Sequence, residues 1–243
     1  MANHILLNNI EHKDLRVINR FSAECGDNVG STLTFPTEFG DVQKEYPIFF
    51  QTNATTGSYQ SVALFGLKQN ENLFLADDGS WNANYIPAVM ARGPFLIGFQ
   101  KDPNNPDQKE PVIHIDMDSK KLSKTEGASL FLEYGGVSPY LEKITVILKG
   151  IYDGMALSDS MFQVFSSLNL IEPVSIEIEL NNGEQHRLHG NYTISKERLR
   201  ALNRDELFLL NQSGFLEAAY LVMASLNNMQ RLTNIKNKLV TTK

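Results

Sequence analysis

One cysteine, one tryptophan and no long apolar run set the first limits on this 243-residue chain. Cys25 stands alone, so neither an intramolecular disulfide nor a cysteine-built metal site can form. It sits in Glu24-Cys25-Gly26-Asp27, where carboxylates on both sides oppose a reactive thiolate. No apolar stretch approaches the ~20 residues of a membrane-spanning helix. The start, Met1 to Leu7 followed by Asn8, Asn9, Glu11 and His12, lacks the charged head and long apolar core of a secretory signal, so a cytoplasmic protein is expected. Positive charge is also short: 22 Lys and Arg against 28 Asp and Glu give a net charge of −6. Without a basic stripe, nucleic acid is not an expected partner. The basic residues near the C-terminus, Arg231, Lys236, Lys238 and Lys243, read as a frayed, solvated end. Internal repeats, low-complexity linkers, glycine-rich phosphate loops and Gly-x-Ser-x-Gly elbows are all missing.

What remains is an ordinary globular composition, 42% hydrophobic and 21% charged, able to bury a core. The densest stretch runs from Glu45 to Gln100. Tyr46–Phe50, Ser61–Leu67, Asn72–Leu75 and Phe95–Phe99 read as strands, separated by turn signals such as Asp77-Asp78-Gly79. Tyr85–Ala91 reads as one or two helical turns with Pro87 near the start, stopped by Gly93-Pro94. Before this stretch, Leu33 and Phe35 permit an edge strand ahead of Pro36. After it, 101–110 holds two prolines among polar residues and reads as an exposed loop.

From Tyr140 onward the period becomes 3.6, with Ile144, Ile147, Leu148, Ile151 and Met155 on one face. Gly150 and Gly154 weaken that helix or admit a close neighbour. Ser158 is expected to cap a second helix carrying Met161, Phe162, Phe165 and Leu168. Pro173–Leu180 alternates strictly and Asn181-Asn182-Gly183 returns the chain, a β-hairpin. Ser195 caps a following helix, Asn203 with Glu206 forms a capping box, and a final helix presents Phe215, Ala219, Val222, Met223 and Leu226. The expected class is α+β: a largely antiparallel sheet in the N-terminal half, then helices, a hairpin and a helical tail. One domain over 1–243 is expected, with 1–135 (β-rich) and 136–243 (helical, with the hairpin) as the alternative division.

Few residues carry chemistry. His114, Asp116 and Asp118 share one face of an alternating strand and could ligate iron with a distant histidine, whereas a half-buried strand shows polar residues to water in the same pattern. Glu177 and Glu179 also share a strand face, as solvated glutamates commonly do. His186 and His189 fall on opposite faces, so a regular strand cannot bring them to one metal. Trp81, Tyr85, Arg92 and Phe95 are the candidate ligand-binding group, because aromatic rings beside one arginine can hold a ring and an anionic group together. The same residues would equally define the fold where strand meets helix.

The order YPIFF, ALFGL, ENLF, DDGSW, YIPA and R-G-PF resembles the SapC family, named for a gene linked to a bacterial surface layer. The likeness continues through Gly190–Ile194, Arg198-Leu199, Asp205–Leu207, Ser213–Leu216 and Ala224–Met229, so it covers about Tyr46 to Leu232. The resemblance implies a bacterial protein with no accepted reaction and no accepted catalytic residues. It also implies a pathway shared with flavin-dependent halogenases or cupin-like oxygenases, whose genes lie beside those of the family. Three readings stand. The first is a non-catalytic accessory protein that binds a partner protein or a small aromatic or anionic ligand, with no cofactor expected. The second is an iron-dependent enzyme on the His114 strand, and the third a surface-layer or assembly component.

Overall fold

The computed structural model describes residues 3–102 and 105–241. It begins with two short strands, β1 (His4–Leu6) and β2 (Arg16–Val17). Then β3 (Ser31–Leu33) leads through a 3-10 turn, Pro36–Glu38, into α1 (Phe39–Val42), β4 (Ile48–Thr52) and β5 (Tyr59–Leu64). A single turn, α2 (Ala88–Ala91), precedes the long hairpin β6 (Phe95–Asp102) and β7 (Asn105–Asp116), followed by β8 (Leu122–Ser123) and β9 (Ala128–Ser129). The rest is α3 (Pro139–Ser167), the hairpin β10 (Ile171–Glu179) and β11 (Gln185–Ile194), and four helices, α4 (Lys196–Arg200), α5 (Arg204–Gln212), α6 (Phe215–Ser225) and α7 (Asn228–Thr241).

The paired strands are antiparallel and form three sheets, ordered β10-β11-β4-β5-β3, β1-β7-β6 and β8-β2-β9. This is an α+β fold, and β3 is the sheet edge expected around Leu33. The large core lies between the five-stranded sheet, the end of α3 and the C-terminal helices: Phe50 meets Phe162 of α3 edge-on at 5.0 Å, and Phe165 of α3 meets Phe215 at 6.4 Å. A second cluster unites Phe95 and Ile115 of the β6–β7 hairpin with Leu141, Ile144 and Leu148 of α3. Both clusters draw on residues from each side of the 135/136 point.

α3 is where local pattern and structure part most clearly. The expected break at Ser158 does not occur; one helix of 29 residues runs through it. The Ser158 hydroxyl donates to the Gly154 carbonyl at 2.8 Å, the back-bond a mid-helix serine makes when its apolar neighbours hold the helix together. The true cap is Ser138, whose hydroxyl accepts from the Leu141 N–H at 3.2 Å, with Pro139 at the first position. Gly154 does admit a close neighbour, since a Cβ there would lie 2.6 Å from Phe35 Cβ.

Four further expectations need correction. Asn72–Leu75 buries Leu73 and Phe74 but forms no ladder. Asn72 instead holds a turn, accepting from the Phe74 N–H at 3.0 Å and donating to the Asp27 carbonyl at 2.9 Å. Next, 101–110 is not an open loop, because Lys101 faces Lys109 and Gln100 faces Glu110 in the hairpin ladder, with 103 and 104 outside the described residues. In the C-terminal hairpin, pairing shifts between Val174 and Ile176, and Gly190 takes φ +75°, so the alternation that starts at His186 stops at Leu188. Finally, the tail is two helices, and two of its basic residues, Arg231 and Lys236, are held in ion pairs, with Lys243 outside the described residues. Leu232 is fully buried, Arg231 pairs with Glu45, and Lys236 pairs with Glu71 at 2.5 Å.

Candidate functional site

Two buried glutamates anchor the segment from Trp81 to Ala91. Glu38 accepts from the Tyr85 hydroxyl at 2.7 Å, the Ala88 N–H at 2.9 Å and the Thr34 hydroxyl at 2.9 Å. Burial pushes its carboxyl above the ordinary value, against the lowering effect of these donors. Glu45 accepts from both the backbone N–H and side-chain amide of Asn84, at 3.2 and 2.7 Å, and from Arg231. Between them, Trp81 Nε1 donates to the Tyr46 hydroxyl at 2.6 Å, and that hydroxyl donates to the Tyr85 carbonyl at 2.5 Å. Burial raises the pKa of both phenols, and the Glu38 charge raises that of Tyr85 further. The Trp81 ring lies among Phe21, Phe65 and Phe74, with centroids at 5.1, 5.2 and 6.5 Å.

The four sequence candidates do not converge. Trp81 and Tyr85 pack on the large core, while Phe95 is fully buried in the second cluster, 6.3 Å from Tyr140. Arg92 donates to the Phe95 carbonyl through Nη1, and burial lowers its pKa while the nearby Asp116 charge raises it. This contact of an arginine with a backbone carbonyl beside a buried ring ties Arg92 to the start of β6.

Of those four, Trp81 lines a cleft of about 380 Å³ between the 79–91 segment and α3. Phe21, Trp81 and Tyr140 supply rings, Ile144 and Ile147 an apolar wall, and Lys143 an exposed ammonium. Lys143 has no carboxylate partner among the described residues. Burial pushes the Tyr140 hydroxyl up to about 12, so it stays protonated near neutrality. Phe21 is held from behind by Lys121, whose ammonium lies 4.4 Å from the ring centroid and pairs with buried Asp27 at 2.8 Å. Sequence reading missed Phe21, Tyr140 and Lys143. The three-residue spacing of the last two on an amphipathic helix was the available signal; the approach of Phe21 was not encoded locally.

On the His114 strand, the candidate ligands have close neighbours of their own. The His114 ring occupies the space a side chain at Gly98 would fill, with Nε2 2.5 Å from that Cβ position. Asp116 accepts from the Asp118 N–H at 3.1 Å, a turn at the strand's end. Among the described residues, no group of three or more His, Cys, Asp or Glu is placed to hold a metal ion. His186 is buried, 3.3 Å from Glu184, while His189 is exposed. Glu177 pairs with Arg187 on the outer face at 3.1 Å.

No single helix among the described residues is long and apolar enough to cross a membrane; α5 with the following helices passes that test only as a pair bent by 89°. No curated protein and no solved structure matches the chain. The family model described as SapC matches residues 7–232, nearly the whole sequence from just after β1 through α7's buried Leu232, and the chain therefore belongs to the SapC family.

Proposed function

We propose that this protein is a non-catalytic binding protein that takes a small molecule bearing a ring and an anionic group in the cleft between the 79–91 segment and α3. The observation that carries this reading is the unpaired Lys143 ammonium at the mouth of a cleft walled by Phe21, Trp81 and Tyr140. Rings offer flat apolar faces to a bound ring, and a lysine without a carboxylate partner is available to an external anion. The reading keeps the ligand class expected from the sequence but moves the cation from Arg92 to Lys143. It suits an accessory role beside the halogenases and oxygenases whose genes neighbour those of the family.

Trp81 is the only tryptophan, so its emission reports on the cleft directly. Titration with phenylacetate is expected to give a saturable change, and the neutral benzyl alcohol a much weaker one. Lys143→Gln should weaken phenylacetate several-fold, on the order of 1 kcal/mol for a single exposed charge. No saturable change with phenylacetate, or equal affinity for the neutral compound, overturns the reading.

A further inference from the structure

A second cleft, of about 350 Å³, lies where the β6–β7 hairpin runs out beyond the second core. Burial falls steadily along the hairpin. Phe95 and Ile115 are fully buried, the facing Ile97 and Ile113 only partly so, and Phe99 is 53% exposed. α3 continues alongside, so the apolar surfaces of sheet and helix diverge without closing. Ile97, Pro111, Ile113, Leu148 and Tyr152 form the walls, and the Tyr152 ring meets that of exposed Phe99 with centroids 5.9 Å apart.

Apart from the exposed Tyr152 hydroxyl, the polar side chains of this cleft already have partners. The Thr145 hydroxyl donates to the Leu141 carbonyl at 2.9 Å. Lys149 and Asp153 pair with each other one helical turn apart at 2.5 Å. Alternate hairpin amides belong to the ladder, and Pro111 has no N–H to offer. A ligand rich in hydrogen-bonding groups would lose its water here without replacement. The rim carries one positive and one negative charge in mutual contact, so an anionic head would have to displace Asp153 and a cationic one Lys149.

We infer that this cleft binds a linear hydrocarbon chain with an uncharged polar head, the chain lying between Ile97, Ile113 and Leu148 and the head beside the Lys149–Asp153 pair. The volume is at the low end of small-ligand pockets, suited to a single chain.

The test is isothermal titration of the full chain with 1-hexanol, 1-heptanol and 1-octanol, against octanoate and octylamine at neutral pH. Affinity is expected to rise roughly fourfold per added methylene, the increment for burying a CH₂ group. Octanoate and octylamine should each bind several-fold more weakly than octanol. Ile97→Phe, which places bulk in the cleft, should remove binding; Tyr152→Ala, at a half-exposed position, should weaken it even if the first variant misfolds. A flat chain-length series, octanoate binding as tightly as octanol, or a concentration-dependent dimer that buries Phe99 and Tyr152 overturns the inference. Displacement of octanol by phenylacetate would place the chain in the Trp81 cleft and also overturn it, so failure here is distinct from failure at that cleft.

Discussion

Arg231 in the C-terminal helix donates through Nη1 to Oε2 of Glu45, 186 residues earlier in the chain. The same carboxylate's other oxygen holds Asn84, so one buried acid links the tail to the segment bearing Trp81. The guanidinium also lies 5.4 Å from the Phe74 ring centroid, adding a cation–π contact.

Removing Arg231 therefore strands a buried charge. Arg231→Ala is expected to cost about 2–3 kcal/mol, somewhat less than a fully buried pair because the arginine is partly exposed. Urea unfolding followed by circular dichroism reads this, and Trp81 emission should shift in the folded variant as the Asn84 anchor loosens. A change below about 0.5 kcal/mol would mean the pair is no more than a surface contact.

Two glycines in α3 should respond with opposite signs. At Gly150 a Cβ meets nothing within 4 Å, so Gly150→Ala is expected to stabilise by up to about 1 kcal/mol through helix propensity. At Gly154 a Cβ would press on Phe35 and on the Thr37 hydroxyl at 2.6 and 2.8 Å, so Gly154→Ala should destabilise by about 1–3 kcal/mol. Thermal melts of the two variants decide it; a stabilised Gly154→Ala would show that the turn at Pro36–Glu38 is not packed against the helix.

Glu38 gives a signed pH effect. Its folded pKa lies above the ordinary 4.5, chiefly through burial. The folded state then holds the proton more tightly than the unfolded chain. Its contribution to stability is complete below 4.5 and is lost as pH rises through the folded value. Glu38→Gln cannot titrate, so wild type should lose ground relative to this variant as pH is raised from about 4 to about 8. Paired urea midpoints across that range measure it, and wild type gaining on the variant would reverse the assignment.

Tyr46 sits at the centre of the network that places Trp81. Tyr46→Phe removes the acceptor for Trp81 Nε1 and the donor to the Tyr85 carbonyl, leaving two partly buried groups unpaired. A loss of about 1–3 kcal/mol is expected in thermal or urea unfolding. A loss restricted to a few tenths would mean that water replaces both bonds.

Much of this protein was legible one segment at a time. Alternation disclosed the Pro173–Leu180 strand, the Asn-Asn-Gly turn its partner, Asn203 and Glu206 a capping box that closes as expected, and ordered motifs the family. Each rests on residues a few positions apart, where backbone geometry brings them together whatever the rest does. The remainder depended on partners far along the chain. Ser158 looks like a cap, but the helix continues because Met161, Phe162 and Phe165 are buried in the core. The basic tail looks solvated, but Arg231 and Lys236 reach carboxylates at Glu45 and Glu71. Trp81 and Phe95 are near in sequence, yet strand and turn directions send them to separate cores, while α3 brings Lys143 to the rings around Trp81. Local pattern specifies which elements form; which side chains share a cleft is decided by burial and charge pairing across the whole fold, and no window of the sequence contains both partners.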